Sequence, residues 1–269
     1  MWQCVCAVLQ CPLTTKPALS RELSCKTMKK LPVTFGLLLL TFLTACYFDL
    51  SELTGDCVRG AGATVSEQRQ LQDFDQIQAS GNIDVYVSQG PAHQVIVKAE
   101  PNLLPFIQIS VVGRTLEIGI GPTCLTTTRG VQVYVTLPEV LALSISGSGS
   151  LRTENEIIAN HLSLSVNGAG TMNVRATAQN LISALSNSGS LTVGGAGISQ
   201  TILVGGSGSY DGRNWAAQTV QVTNTGSGAS RIAVADQLDA RITGSGSVFY
   251  RGNPRISSQI TGSGRLMRE

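Results

Sequence analysis

Two pairs of acidic residues are spaced as general acid/base chemistry would require. Asp73 and Asp75 are separated by one residue, as are Glu154 and Glu156, so in an extended strand each pair points to one face. Glycoside hydrolysis uses two carboxyl groups about 5–10 Å apart in a groove. Neither pair has an acidic counterpart at the equivalent place in a neighbouring repeat. We therefore predict solvated surface carboxylates and no catalytic residues.

Histidine and serine chemistry has little support in the sequence. The two histidines, His93 and His161, lie in different repeats and lack the spacing of paired metal ligands. The Gly-x-Ser-x-Gly pattern of a nucleophilic serine on a strand-to-helix turn is missing as well. We expect no metal and no cofactor.

One small aromatic cluster could recognise a sugar. Trp215 lies close in sequence to Tyr210 and Arg213, and the three could form a patch on which a sugar ring stacks. The interpretation that we favour is that Trp215 covers a corner of the fold.

A glycine-rich turn recurs seven times in the second half of the chain, and the first residues of successive turns are 18 to 21 residues apart. Asn187 takes the place of one glycine, and asparagine tolerates the left-handed region better than most residues. The corner glycines are Gly147, Gly149, Gly168, Gly170, Gly189, Gly206, Gly208, Gly226, Gly228, Gly244, Gly246, Gly262 and Gly264.

An alternating strand precedes most of these turns. Leu141, Leu143 and Ile145 point to one face, and Ser144 and Ser146 to the other. One such unit cannot bury its apolar face alone, but stacked units can share a core. The repeat predicts an all-β fold, a β-solenoid with about 18–21 residues per coil and a Gly-Ser-Gly corner. Glycine at that corner provides either positive φ or room for a close backbone approach.

The first half is strand-like but less regular. Residues 83–87 and 94–98 alternate in hydrophobicity and are separated by a Gly90-Pro91 turn. They form either a hairpin or successive edges of the coils.

Several motifs occur in a specific order across both halves. Phe74-Asp75-Gln76-Ile77 is followed by Ala-Ser-Gly-Asn-Ile-Asp-Val at residues 79–85, by the strand at residues 131–135 with Leu137-Pro138, and by the Gly-Ser-Gly series. This order resembles the head GIN domain family of bacterial envelope proteins, whose name describes auto-transporter adhesin heads. The resemblance covers residues 71–266 and implies a right-handed β-solenoid similar to a parallel β-helix. It implies no catalytic residues.

The N-terminal region has the features of an export signal. Met28-Lys29-Lys30 is basic, an apolar run follows, and Leu43-Thr44-Ala45-Cys46 resembles a bacterial lipobox. We expect residues 1–27 to be a mis-annotated leader and residues 28–45 a lipoprotein signal peptide. Cys46 would then be the lipid attachment residue, residues 46–70 a tether and residues 71–269 the solenoid domain. Tyr47, where aspartate would signal retention, favours the outer membrane by resemblance to bacterial sorting signals.

The charge of the chain limits the kinds of partner that we expect, and its cysteines indicate one possible disulfide. Residues 1–45 hold five of the 19 basic and one of the 17 acidic residues, which leaves the remainder with a net charge of −2 and with Lys98 as its only lysine. A nucleic-acid partner is therefore not expected. Cys57 and Cys124 remain beside Cys46, and in an oxidising compartment they could form a disulfide or stay as two buried thiols.

These patterns predict a lipid-anchored, non-enzymatic, adhesin-like binding module at the bacterial outer membrane. Its Ser/Thr-rich strand faces suit polymers such as glycans. One alternative is a structural or sensing periplasmic protein without a ligand, and a less favoured one is a polysaccharide-acting enzyme. The sequence leaves open whether the chain forms a homo-oligomer, and on which side of the membrane it lies.

Overall fold

The computed structural model describes residues 57–121 and 124–269, and these residues are almost entirely β-structure. A short 3-10 helix covers Leu104–Phe106, and among the described residues no helix is long and apolar enough to cross a membrane. The strands are β1 (Val58–Arg59), β2 (Val65–Arg69), β3 (Gln76–Gly81), β4 (Asp84–Gln89), β5 (Gln94–Ala99), β6 (Ile107–Val112), β7 (Thr115–Ile120), β8 (Leu125–Thr126), β9 (Gln132–Leu137), β10 (Ala142–Gly147), β11 (Ser150–Thr153), β12 (Ile157–Gly168), β13 (Thr171–Asn187), β14 (Ser190–Val204), β15 (Ser209–Asn224), β16 (Ala229–Ile242), β17 (Ser247–Arg251), β18 (Arg255–Ile260) and β19 (Arg265–Arg268).

The strands of the second half stack in parallel, each on its successor in the next coil. Strands β12 to β16 pair in this way one after another, and β17 and β18 continue the two halves of β16. Each coil contributes one strand segment before the glycine turn and one after it. We call the stack of segments before the turn the pre-corner sheet and the stack of segments after it the post-corner sheet. The predicted all-β solenoid is confirmed.

The N-terminal layers are stacked out of chain order. Strands β3 and β4 lie between the layer of β7 and β9 and the layer of β10 and β11. Strand β9 therefore separates β4 from β5, which excludes the hairpin, one of the two alternatives for residues 83–87 and 94–98. Strands β5 and β6 run antiparallel to β9 and β7, and β2 runs antiparallel to β5. These antiparallel strands cover an edge that would otherwise be open.

Alternation along each strand builds the core. In β13, Met172, Val174 and Ala176 point inward and are buried, whereas Asn173 and Arg175 point outward and are exposed. The alternation of inward-facing and outward-facing residues shifts by one position at the bend between the two sheets, where two successive residues face outward. The apolar sides of the coils up to β17 thus contribute to one continuous core, whereas every residue of β18 in the last coil is exposed.

The corner glycines lie in register from coil to coil. Gly147 pairs with Gly168, and Gly168 with Asn187, and these first residues of the first three turns have positive φ. The later turns need glycine for a different reason. A Cβ on Gly244 would collide with the carbonyl oxygen of Gly226 in the preceding coil. Close backbone approach, rather than positive φ, therefore explains the later copies.

A disulfide joins Cys57 to Cys124, with a Cα–Cα distance of 4.5 Å. Next to it, β1 pairs with β8, and further along β2 pairs with β5. The folded body therefore begins before residue 71, the predicted boundary, and includes much of the predicted tether. Cys46 and the predicted signal peptide lie outside the described residues.

Candidate functional site

A cleft of about 460 Å³ opens on the outward surface of the post-corner sheet, and we call it the Gly194 cleft. It crosses β13, β14 and the beginning of β15. Its polar lining consists of carboxylate, guanidinium, amide and hydroxyl groups around a backbone floor. The residues that define it are Glu156, Asn173, Arg175, Thr192, Gly194 and Asn214.

A missing side chain creates this cleft. Arg175, Gly194 and Asn214 occupy the same register position on three successive coils. The first and third carry polar side chains, and the second carries none. Because neighbouring strands lie about 4.8 Å apart, the two flanking side chains stand about two strand spacings from each other.

The backbone at Gly194 does not require glycine. Its φ lies outside the left-handed region, and the nearest atom to a Cβ placed there would be Asn214 Cβ at 3.7 Å, an ordinary contact. Gly195, in contrast, has a φ of +128°, and a Cβ there would collide with the carbonyl oxygen of Ala176. Glycine at position 194 therefore keeps the cleft open, whereas glycine at position 195 is required by the fold.

A β-bulge in β15 forms the far wall of the cleft. Between the pairs Thr192–Asp211 and Gly194–Asn214, β15 contains one more residue than β14. The extra length is held by an ion pair in which Arg213 Nη2 lies 2.6 Å from Asp211 Oδ2. The hydrogen bonds from Arg213 hold the pKa of Asp211 below its usual value, although burial opposes the shift. Bulges re-aim side chains in this way next to binding sites.

The cleft contains one positive and one negative side chain. Glu156 Oε1 accepts a hydrogen bond of 2.6 Å from the Thr177 hydroxyl. Arg175 donates its backbone N–H to Thr153 Oγ1 at 2.9 Å, and among the described residues its guanidinium forms no ion pair. The Arg175 side chain is thus free to donate hydrogen bonds into the cleft.

The acidic pairs considered for catalysis take different partners. Asp73 lies 3.2 Å from His93, whereas Asp75 is buried and binds Arg114. The prediction of a solvated surface carboxylate is therefore wrong for Asp75. Glu154 lies 3.6 Å from Arg152, and Glu156 contributes to the Gly194 cleft. In neither pair are both carboxyl groups free to face one ligand.

The histidines are also held by local contacts. A ring nitrogen of His93 lies 2.9 Å from the carbonyl oxygen of Phe74, and His161 lies 3.2 Å from the amide nitrogen of Asn180. Among the residues that the structure describes, no group of three His, Cys, Asp or Glu residues is arranged to hold a metal ion.

The aromatic cluster at the bulge is not a sugar-stacking patch. Trp215 and Tyr210 are both fully buried inside the solenoid. Burial raises the pKa of Tyr210, whose hydroxyl accepts a hydrogen bond from the Gln200 amide. The stacking interpretation is therefore wrong. Because Trp215 follows the bulge, its ring points inward while Asn214 points into the cleft.

Sequence reasoning missed an aromatic stack on the outward face. Tyr86 and Tyr134 pair across β4 and β9, and their rings stack with centroids 4.6 Å apart. The Arg152 guanidinium covers the other face of Tyr86, 4.2 Å from its centroid. The repeated Val-Tyr-Val at residues 85–87 and 133–135 was the available signal. Both faces of the Tyr86 ring are covered, so this stack stabilises the surface.

Several solved structures have the same fold. A protein described as a putative adhesin from Bacteroides fragilis is 20% identical, with a TM-score of 0.70, covering 79% of this chain and 100% of its own. A putative adhesin and a putative lipid binding protein, both from Parabacteroides distasonis, are each 22% identical, with TM-scores of 0.67 and 0.66. Each comparison covers 80% of this chain and 100% of the other.

The comparison with protein families is more informative than the comparison with these distantly related structures. No curated protein matches the chain significantly. The family model described as "Putative auto-transporter adhesin, head GIN domain" matches residues 73–254, which include the corner glycines up to Gly246 and the Gly194 cleft. The chain belongs to the head GIN domain family.

Proposed function

We propose that this protein is a non-enzymatic, adhesin-like module that binds glycans in the Gly194 cleft. The observation that carries the proposal is the gap at Gly194 between the side chains of Arg175 and Asn214, which occupy the same register position on the two neighbouring coils. A concave cleft on a rigid scaffold in which several polar groups converge is a candidate binding site. The membership of an adhesin head family supports a binding role for that site.

The cleft suits a ligand rich in hydroxyl groups. Asn173, Thr192 and Asn214 each offer both donors and acceptors, as every sugar hydroxyl does. Arg175 adds donors and Glu156 adds acceptors. The partners of the acidic residues favour binding over hydrolysis, because they leave no pair of free carboxyl groups across the cleft.

The cellular setting completes the proposal. The module would be attached to the outer membrane through a lipid on Cys46, which makes the membrane its second partner. The lipobox-like residues Leu43-Thr44-Ala45-Cys46 and the adhesin-type family support this location.

Retention of the purified protein on a panel of envelope and matrix glycans tests the binding role. We expect at least one glycan to retain the protein and to keep its chain length, measured by size-exclusion chromatography. Asn173→Ala should weaken retention about three- to tenfold, the effect of losing a side-chain hydrogen bond. The matched control Asn160→Ala, an exposed asparagine outside the cleft, should bind normally.

The other outcomes identify the competing functions. Shortening of the glycan would indicate a polysaccharide-acting enzyme. Absence of both retention and cleavage across the panel would indicate a structural or sensing protein without a glycan ligand.

A further inference from the structure

We propose that the gap at Gly194 is a subsite for one uncharged sugar unit, and that Gly194 is the residue that determines its size. The inference rests on the proposed glycan-binding function and goes beyond it, because it names the class of sugar and the residue that admits it.

The first argument is that the fold itself leaves position 194 free to vary. Most corner glycines of the solenoid would place a Cβ against the backbone of the preceding coil, as Gly244 does with Gly226. Gly194 would make only an ordinary contact at 3.7 Å with Asn214. Because neighbouring coils carry Arg175 and Asn214 at this position, a side chain here would fill the space between them.

The second argument concerns charge. Arg175 and Glu156 are the charged side chains of the cleft, and their charges cancel. Asp211 lies close by on β15, but its carboxylate is engaged by Arg213. A carboxylate on the sugar would be attracted by Arg175 but repelled by Glu156, and the reverse holds for an ammonium group, so a net charge on the sugar gains nothing on balance. An uncharged sugar uses both groups as hydrogen-bond partners and carries no charge that must be desolvated.

The third argument concerns the floor of the cleft. Gly194 and Gly195 present bare backbone between the polar walls, next to Val193. A sugar ring has hydroxyl groups around its rim and C–H groups on its faces. The amide and hydroxyl groups of Asn173, Thr192 and Asn214 suit the rim, whereas the floor, which carries no side chain at Gly194 and Gly195, suits a face.

The test compares Gly194→Phe with the matched control Gly205→Phe. Gly205 also has an unconstrained φ and a nearest Cβ contact of 3.7 Å, but it lies at the corner away from the cleft. Both variants should keep the native circular dichroism spectrum and melting temperature. Gly194→Phe should weaken retention on the uncharged polymers dextran or mannan about tenfold or more, and Gly205→Phe should not. Gly194→Ala, which adds only a methyl group, should have an intermediate effect and covers the case in which the larger variant fails to fold.

The polymers also test the charge argument. We expect the native protein to be retained on dextran or mannan more strongly than on alginate, which carries carboxylates, or on chitosan, which carries ammonium groups. Stronger retention on either charged polymer would overturn the inference, as would unchanged retention by folded Gly194→Phe and Gly194→Ala. Those results would leave glycan binding intact. Failure of the native protein to bind any polymer would overturn the proposed function together with the inference.

Discussion

Gly244→Val is expected to lower the free energy of unfolding by about 3 kcal/mol or more, at the upper end of the range for overpacked sites. A Cβ at this position would collide with the carbonyl oxygen of Gly226, and it would lie 2.7 Å from that of Thr225. Both atoms belong to the backbone of the preceding coil, which is itself fixed by its own neighbours. No rotamer change can relieve the collision, so the coils must separate locally. Urea unfolding measures the loss.

The neighbouring serine provides the control. Ser245 is exposed at the tip of the same turn, so Ser245→Ala should change the stability by less than about 0.5 kcal/mol. Similar small effects for the two variants would contradict the proposed packing of the corner.

Replacing both cysteines of the disulfide by alanine is expected to cost about 4 kcal/mol of stability in the chain-entropy model. The bond joins positions 67 residues apart, so it removes many conformations from the unfolded chain. It also holds β1 against β8 beside the buried carboxylate of Glu100, which accepts hydrogen bonds from Thr127 and Thr128. Thermal unfolding of Cys57→Ala/Cys124→Ala against the native protein measures the effect.

Reduction of the native protein provides an independent check on the disulfide. A reductant should lower the melting temperature of the native protein towards that of the double variant and should leave the double variant unchanged. Equal melting temperatures for the native protein and the double variant would show that the disulfide contributes nothing to stability.

The regular half of the fold could be predicted because its information is local. Each coil repeats the same alternation and ends at the same glycine turn, so the period alone indicates stacked strands. The N-terminal layers could not be predicted in this way. The placement of β9 between β4 and β5 depends on contacts between distant segments, and a turn between residues 87 and 94 is compatible with several pairings.

The candidate site was missed for a related reason. An absent side chain is informative only when its register neighbours are known, and Gly194-Gly195 reads in the sequence as one more glycine pair. The available signal was the break at Gly194-Gly195 in the alternation of polar and apolar residues along the strand. The bulge in β15 also made the position of Trp215 hard to predict. It turns the Trp215 side chain into the core, although the neighbouring residues in the sequence are polar or small.

Protease treatment of intact cells tests most directly whether the protein acts as an adhesin-like module. A periplasmic protein monitored in parallel reports leakage of the outer membrane. Our account predicts that the head domain is lost from intact cells while the periplasmic control survives, because a binding module of this kind must reach its ligand outside the cell. Survival of the domain until the outer membrane is permeabilised would place it in the periplasm and would contradict the adhesin-like role.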